Sequence, residues 1–212
     1  MFSFLIDLLF PPSIKERRVR ERAQNLGKHL IPRRHEVHKF ISAAASYDDS
    51  LIRDIVLLAK FHSSTYAAEL MGAAIADVLL NQVADTRVFS NRMPLIIPVP
   101  LGVKRLNDRG YNQAARITEA ALKLLPEGVV DNAPRNILAR KETLPQTKLS
   151  KSERAKNMRG AFSVTKPEAV KDRDIILIDD VVTTGATLVD AKRALQSAGA
   201  RAVSAIVFAR AE

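Results

Sequence analysis

Short, continuous apolar runs alternate along this chain with longer segments in which apolar residues recur every three or four positions. The runs at residues 95–97 and 175–178 consist of Ile and Leu alone and are typical of strands buried on both faces of a parallel sheet. Helical spacing is seen in three segments, residues 51–61, 65–80 and 110–125. This alternation predicts an α/β fold with a mainly parallel sheet flanked by helices.

The end of the sequence completes the same pattern. A strand at residues 174–178, a helix at residues 185–198 and a strand at residues 202–208 predict a β-α-β unit. Weaker strand signals lie near Ile137 and Phe162. No internal repeat interrupts this order, so one domain of this class accounts for most of the chain.

Residues that can carry chemistry follow the run at 175–178 immediately. Asp179 and Asp180 stand at the carboxyl end of that predicted strand, where ligands bind in open α/β sheets. The next residues supply three hydroxyls, a flexible glycine and the exposed N–H groups of a helix N-terminus: Thr183, Thr184, Gly185, Ala186 and Thr187. Such a segment can cradle a phosphate.

The two halves of this segment predict two parts of one ligand. A helix N-terminus contributes about 0.3 to 2 kcal/mol toward holding an anion, and charge-assisted hydrogen bonds add about 1.5 to 3 kcal/mol each. Carboxylates repel a phosphate, so Asp179 and Asp180 are better suited to accept hydrogen bonds from sugar hydroxyls or to hold Mg²⁺ through water. A phosphorylated ribose satisfies both halves. An ordinary capped turn explains a threonine but not the paired acids, and neither glycine-rich nucleotide motif is present in its required context.

Four segments of the sequence resemble a known family. DDVVTTGAT at residues 179–187 resembles the phosphoribosyl pyrophosphate (PRPP) motif of type I phosphoribosyltransferases. PVPL at residues 98–101, RGYNQ at 109–113 and a polar block at 140–162 precede it. In this order and spacing, residues 46–210 resemble the competence protein F (ComF) branch of that superfamily, which implies a type I phosphoribosyltransferase fold.

The resemblance implies a role for each part of the site. Asp179 and Asp180 act in catalysis and hold Mg²⁺ through water, and residues 183–187 bind the 5′-phosphate of PRPP. Pyrophosphate is bound by Val99, Lys104, Arg105 and Arg109. A flexible loop that approaches PRPP includes Arg140, Thr143, Gln146 and Arg154. The residues alone leave two alternatives open, a solvated loop for Lys104, Arg105 and Arg109, and helix capping by Tyr111, Asn112 and Gln113.

Two classes of function remain open at this point. One is Mg²⁺-dependent transfer of phosphoribosyl from PRPP to an unidentified acceptor, with release of pyrophosphate. The other is a non-catalytic accessory of DNA uptake that uses the fold to bind PRPP, single-stranded DNA or a DNA-processing protein. A homodimer is usual for the fold family. A PRPP-responsive transcriptional regulator is a weaker third reading, because no convincing helix-turn-helix is present.

The first 45 residues depart from the ComF pattern. Many members carry a cysteine-rich zinc module there, whereas this chain has no cysteine and cannot form a thiolate zinc site. His29, His35 and His38 lie in this region, but no fourth ligand accompanies them at a metal-binding spacing. We expect residues 1–45 to be a small basic extension, a degenerate remnant of the zinc module, and residues 46–212 to be the phosphoribosyltransferase-like domain.

Charge is concentrated in two segments. The formal net charge is +10, and residues 13–40 and 135–160 each contribute +6, so the remainder is slightly negative. Pyrophosphate is a sufficient reason for the second segment. The first is either a solvated basic helix or a contact for DNA or a partner protein.

Composition and the apolar start of the chain limit the cellular compartments that we expect for this protein. With 47% hydrophobic and 26% charged residues, the chain is typical of globular proteins. Residues 1–10 are apolar apart from Asp7 but are too short to span a bilayer, so they are either a packing segment or a peripheral membrane contact. We expect no transmembrane segment and, since the lack of cysteine is compatible with a reducing compartment, a cytoplasmic protein.

Overall fold

The computed structural model describes residues 13–38, 40–87, 93–134, 136–141 and 160–211, with the backbone alone described for residues 31–38 and 85–87. The helices in these parts are α1 to α7, spanning Ile14–Arg22, Ser50–Phe61, Thr65–Arg87, Val103–Arg109, Gln113–Leu122, Pro167–Val170 and Ala186–Ser197, and a 3-10 helix spans Ala23–His29. The strands are β1 to β8, spanning Leu30–His38, Ile41–Ser46, Leu95–Pro98, Asp131–Asn132, Leu138–Arg140, Phe162–Val164, Asp174–Val182 and Ala202–Arg210.

Six of the strands form one sheet in the order β1-β2-β8-β7-β3-β4. The five strands from β2 to β4 run parallel to one another, and β1 is antiparallel to β2. β5 and β6 form a separate antiparallel pair with Arg140 opposite Phe162. The predicted α/β fold with a mainly parallel sheet and flanking helices is confirmed.

β7 lies in the middle of this sheet, and its apolar run is buried on both faces. Ile176 and Ile178 pack into the core that includes α2, α3 and α5. Ile175 and Leu177 point the other way, into the core formed with α7 and the β5–β6 pair. Side chains alternate between faces along a strand, so a run without polar residues predicts burial on both sides, as the structure shows.

The helices on the first face bring their ends toward the carboxyl edge of the sheet. Asp49 caps α2 by accepting hydrogen bonds from the amides of Leu51 and Ile52 at 2.8 and 3.3 Å. α3 and α5 cross so closely at Gly72 that a Cβ there would lie 2.6 Å from the Cβ of Ala120. These contacts place the last turn of α2 and the first turn of α5 beside β7.

α3 is also long and apolar enough to span a membrane by length and composition, with a mean hydropathy of 1.3 over Thr65–Ala84. Half of that stretch is buried inside the fold, and Met71, Ile75 and Leu79 belong to the core beneath the sheet. A core helix passes the same test, so this composition is accounted for by packing. The apolar residues 1–10 lie outside the described residues.

Two parts of the fold, residues 103–122 and residues 30–46, differ from the predicted pattern. The helix predicted at residues 110–125 is α5, Gln113–Leu122, and a separate helix α4 precedes it, because Gly110 adopts a left-handed φ of 77° that ends α4. β1 and β2 were not predicted, since His, Arg and Glu interrupt the first and small Ala residues dominate the second. Both strands lie largely within residues 1–45, and the division proposed between residues 45 and 46 falls inside β2; that division stays a prediction.

Candidate functional site

The predicted site residues converge at the carboxyl ends of β3 and β7. Val99, the first residue after β3, donates its amide to the carbonyl of Ile178 at 2.9 Å, which ties the turn at residues 99–102 to β7. A cavity of about 350 Å³ opens here. Its lining includes Lys60, Phe61, Val99, Pro100, Leu101, Arg105, Arg109, Asn112, Gln113, Ala114, Arg140, Asp179, Asp180, Val181 and Thr187.

Asp179 is the carboxyl group with the most perturbed protonation in this cavity. One of its oxygens, Oδ1, accepts the amide of Asp180 at 2.8 Å. Burial and the adjacent negative charge of Asp180 raise the pKa of Asp179 to about 7, although Lys60 and Arg140 act in the opposite direction. Asp179 therefore changes charge near neutral pH, as groups at functional sites often do.

Asp180 has a different environment because both of its oxygens are bonded. Oδ1 accepts the amide of Val181 at 2.6 Å. Oδ2 accepts from the side-chain amide of Gln113 and from the ammonium of Lys60, each at 3.2 Å. The cation and the amide therefore balance the charge of the second carboxylate.

The predicted phosphate cradle lies at the N-terminus of α7. Gly185 caps this helix with a left-handed φ of 75°, and the amide of Ala186 contacts the hydroxyl of Thr184 at 3.4 Å. Thr187 lines the cavity, whereas Thr183 and Thr184 are exposed. A helix N-terminus that presents amides and hydroxyls beside a carboxylate pair is suited to a sugar phosphate.

Cationic side chains face the carboxylates from two other elements. Arg105 and Arg109 line the cavity from α4, and Arg140 lines it from β5. Burial and the nearby Arg105 lower the pKa of Arg140. Lys104, which was predicted to bind pyrophosphate with Val99, Arg105 and Arg109, is exposed on α4 and does not line this cavity.

Residues 111–113 stabilise the local backbone and also contact residues of the cavity. Asn112 caps α5 by accepting the amide of Ala114 at 3.1 Å and donates to the carbonyl of Val99 at 3.0 Å. Tyr111 donates its hydroxyl to the carbonyl of Ala59 at 2.6 Å. Gln113 joins Arg109 to Asp180 by hydrogen bonds. Of the alternatives that the sequence left open, capping occurs at Asn112, and Asn112 and Gln113 also line the cavity, so their contact with a ligand stays a prediction.

Lys60 is the residue of the site that sequence reasoning missed. It stands in the last turn of α2, more than a hundred positions before the motif in the sequence, and no local pattern distinguishes it from a solvated lysine. Only the packing of α2 against the sheet brings its ammonium to Asp180. Three predicted loop residues, Thr143, Gln146 and Arg154, lie outside the described residues.

Magnesium would have to draw part of its coordination from a ligand. Among the residues that the structure describes, no three His, Asp or Glu side chains form a group able to hold a metal ion. Asp179 and Asp180 supply hard oxygen atoms, and Mg²⁺ is commonly held by one or two carboxylates together with waters and substrate phosphates. The donor set therefore fits Mg²⁺ bound with a phosphorylated ligand. His29 bonds to Asp49 at 2.6 Å, and the side chains of His35 and His38 lie outside the described part.

The basic helix α1 pairs part of its charge with neighbouring groups. Arg20 pairs with Glu16 at 2.9 Å and lies over the ring of Tyr66. Arg22 bonds to Asp54 at 3.1 Å and to Ser50. Lys15 and Arg18 are exposed. Asp54 of α2 therefore offsets one charge of this segment, whereas the Arg20–Glu16 pair lies within it.

Comparison with known proteins identifies similar chains. Residues 114–212 match the family model described as Phosphoribosyl transferase domain. Competence protein F of Haemophilus influenzae is 36% identical over 118 residues, which cover 55% of this chain and 50% of that protein. Competence protein ComFC of Bacillus subtilis is 32% identical over 126 residues, with coverage of 59% and 48%.

A third relative is the DNA utilization protein YhgH of Escherichia coli K12, 30% identical over 135 residues that cover 63% of this chain and 57% of that one. The chain thus spans about half the length of the curated relatives it matches. Among solved structures, L. donovani hypoxanthine-guanine phosphoribosyl transferase aligns with 66% of this chain and 67% of its own, at 17% identity and a TM-score of 0.38, a likeness too low to add to the argument.

Proposed function

Because this chain belongs to the competence protein F family and has a phosphoribosyl transferase domain, we propose that it binds PRPP with Mg²⁺ and transfers the phosphoribosyl group to a nucleophile. One observation carries the proposal. The carboxylate pair Asp179–Asp180, the N-terminus of α7 at Thr187 and the cations Arg105, Arg109 and Arg140 all face one cavity of about 350 Å³. A phosphorylated sugar bearing a second phosphate group requires these three kinds of partner together.

Each group has a task in this proposal. The amides and hydroxyls of residues 183–187 hold the 5′-phosphate, and the two carboxylates accept hydrogen bonds from the ribose hydroxyls. Arg105, Arg109 and the turn after Val99 bind pyrophosphate, the leaving group. Lys104 is not needed for this task, because it does not line the cavity.

The reaction that follows is a displacement at the anomeric carbon. The nucleophile forms a bond to this carbon with its own electron pair, and the bond to pyrophosphate breaks, so that pyrophosphate leaves with the bonding electrons. The nucleophile then releases its proton to solvent or to a nearby base. Arginine side chains held in place before the reaction stabilise the charge that develops on the leaving group. When bound, Mg²⁺ supplies further Lewis-acid stabilisation of pyrophosphate.

Isothermal titration calorimetry with Mg²⁺ and PRPP tests the binding step. We expect micromolar binding by the wild-type protein and its loss in the Asp179→Asn/Asp180→Asn variant, because the ribose and metal ligands are then removed. Arg201 pairs with Asp174 at the far end of β7, so Asp174→Asn is a matched control in the same strand and should bind normally. No binding by the wild-type protein would refute the proposal.

The catalytic step needs a separate measurement. Pyrophosphate release is followed with a coupled assay while candidate acceptors such as ammonia, amines and nucleobases are supplied in turn. Turnover with one acceptor that disappears in Asp180→Asn supports a transferase. Tight PRPP binding without turnover by any acceptor would favour a binding protein.

A second candidate is the DNA-uptake accessory, which the names of the relatives and the exposed Lys15 and Arg18 on α1 favour. In this reading the helix contacts the DNA backbone. Exchanging both residues for Glu should then weaken salt-dependent binding of single-stranded DNA while PRPP binding survives. Equal DNA binding by this variant and the wild type would contradict it.

A further inference from the structure

Asp190 is a buried carboxylate that the proposed chemistry does not use. It lies on α7 one turn after Thr187 and is 5% exposed. Its Oδ1 accepts the amide of Gly160 at 2.9 Å, its Oδ2 accepts the amide of Phe162 at 3.2 Å, and Arg193 pairs with it. A buried charge is tolerated only with such partners, so the side chain is committed to holding the backbone at residues 160–162.

Those backbone groups belong to the start of β6. Gly160 turns the chain toward α7 with a left-handed φ of 81°. β6 then pairs with β5, where Phe162 stands directly opposite Arg140, and Lys141 donates its amide to Ala161 at 2.8 Å. Asp190 therefore attaches the β5–β6 pair to the helix that begins at the phosphate cradle.

Arg140 is the member of this pair that reaches the cavity. Its guanidinium carbon lies 5.3 Å from the centre of the Phe162 ring, and the residue lines the cavity together with Asp179. The charges of Asp179 and Asp190 both favour the cationic form of Arg140. A continuous set of contacts thus runs from Asp190 through Phe162 to Arg140.

We propose that Asp190 is a positioning residue that holds Arg140 in place over the ligand. The inference rests on the proposed PRPP site. One turn of α7 then positions two parts of the site. Thr187 belongs to the phosphate cradle, and Asp190 holds the cationic side chain of Arg140. A carboxylate is suited to this role because its two oxygens accept both amides, whereas the single oxygen of Asn can accept only on one side.

A double-mutant cycle tests whether Asp190 acts through Arg140. Binding of Mg²⁺ and PRPP is measured by calorimetry for the wild type, Asp190→Asn, Arg140→Gln and the double variant. We expect Asp190→Asn to weaken binding about tenfold, the effect of roughly one lost charge-assisted contact. In the Arg140→Gln background the same change should have an effect below about twofold. Equal effects in both backgrounds would overturn the proposal.

Two further variants separate positioning from loss of stability. Asp174→Asn removes an Asp–Arg pair with Arg201 away from the cavity and should leave PRPP affinity unchanged. Phe162→Leu keeps the amide that bonds to Asp190 but removes the ring beside Arg140. Phe162→Leu should weaken PRPP binding as Asp190→Asn does, and only when Arg140 is present. It replaces Asp190→Asn in the test if that variant does not fold.

A distance measurement tests, without PRPP, whether Asp190 holds the β5–β6 pair against α7. The chain has no cysteine, so Cys introduced at the exposed positions Lys141 and Val189 can be spin-labelled without background. With Asp190 present, the distance between the two labels should have one narrow distribution. The Asp190→Asn change should broaden that distribution. Unchanged distances would overturn the inference. If the wild-type protein does not bind PRPP, the proposed function fails, whereas this distance still reports on Asp190.

Discussion

The ammonium of Lys60 lies 3.2 Å from Oδ2 of Asp180 and shares that oxygen with Gln113. The pair joins the last turn of α2 to the end of β7, so a residue from the first third of the chain sets the charge balance of the motif. Since Lys60 also lowers the pKa of Asp179, it helps to keep the titratable acid ionised.

Removal of this cation should weaken ligand binding at neutral pH. In Lys60→Met the pKa of Asp179 should rise above about 7, because one of the charges that lowers it is gone. We expect PRPP affinity at pH 7 to fall roughly twofold to fivefold, which a pKa rise of half a unit to one unit can produce, and to recover at higher pH. Calorimetry between pH 6 and 9 checks this. Lys60→Arg, which keeps the charge, is the control, and tighter binding by Lys60→Met would contradict the prediction.

Stability should fall with rising pH because of Asp179. The folded state keeps a proton on this group up to about pH 7, whereas the unfolded chain releases it near the ordinary aspartate pKa of 3.8. Between these values the folded state binds more protons, so the free energy of unfolding decreases as pH rises, by up to about 1.4 kcal/mol per pH unit. Urea unfolding of the wild type and Asp179→Asn at pH 5, 6, 7 and 8 compares the slopes. The variant should lack this part of the slope, and parallel curves would show that the acid is not perturbed.

Gly185 should resist substitution for two reasons. Its φ of 75° is unfavourable for other residues, and an added Cβ would lie 3.2 Å from Ile41. Gly185→Ala should lower the free energy of unfolding by about 1 to 3 kcal/mol and weaken PRPP binding, because the amides of the cradle move. Gly27 has open space and no left-handed φ, so Gly27→Ala is the matched control and should change neither quantity appreciably. Thermal and urea unfolding, followed by calorimetry, measure both.

Gly72 should also resist substitution by alanine, although alanine has the higher helix propensity. Alanine is favoured over glycine in a helix by about 1 kcal/mol, but a Cβ here would lie 2.8 Å from the amide nitrogen of Ala121. Overpacking costs about 1 to 3 kcal/mol, so Gly72→Ala should be net destabilising in urea unfolding. At the exposed neighbour Ala73, the reverse change to Gly should also destabilise, by about 0.5 to 1 kcal/mol. A more stable Gly72→Ala protein would show that the helices can separate without cost.

The central β-α-β unit and the carboxylate pair could be predicted because their signals are local. The apolar run of β7, the acids that follow it and the helix that starts after Gly185 are adjacent in sequence, and each has a direct physical meaning. Arg105 and Arg109, which the family resemblance assigned to pyrophosphate, line the cavity beside this motif, and their role stays a prediction.

The remaining features depend on packing between distant segments. Lys60 reaches Asp180 only because α2 docks on the sheet, and Asp190 meets Phe162 only because α7 lies against the β5–β6 pair. Arg22 of the basic helix α1 likewise meets Asp54 and Ser50 only because α1 packs against α2.

The strand order has a consequence for how the protein is made. β8 and β7 occupy the middle of the sheet, between β2 and β3, yet they are the last strands in the sequence. While a ribosome is still adding residues 174–210, the emerging chain holds β2 and β3 without the partners that separate them. The unpaired edges of both strands then stay exposed until synthesis has passed these residues, so chaperones that recognise such edges can act on this chain before residues 179–187 have taken their place in the sheet.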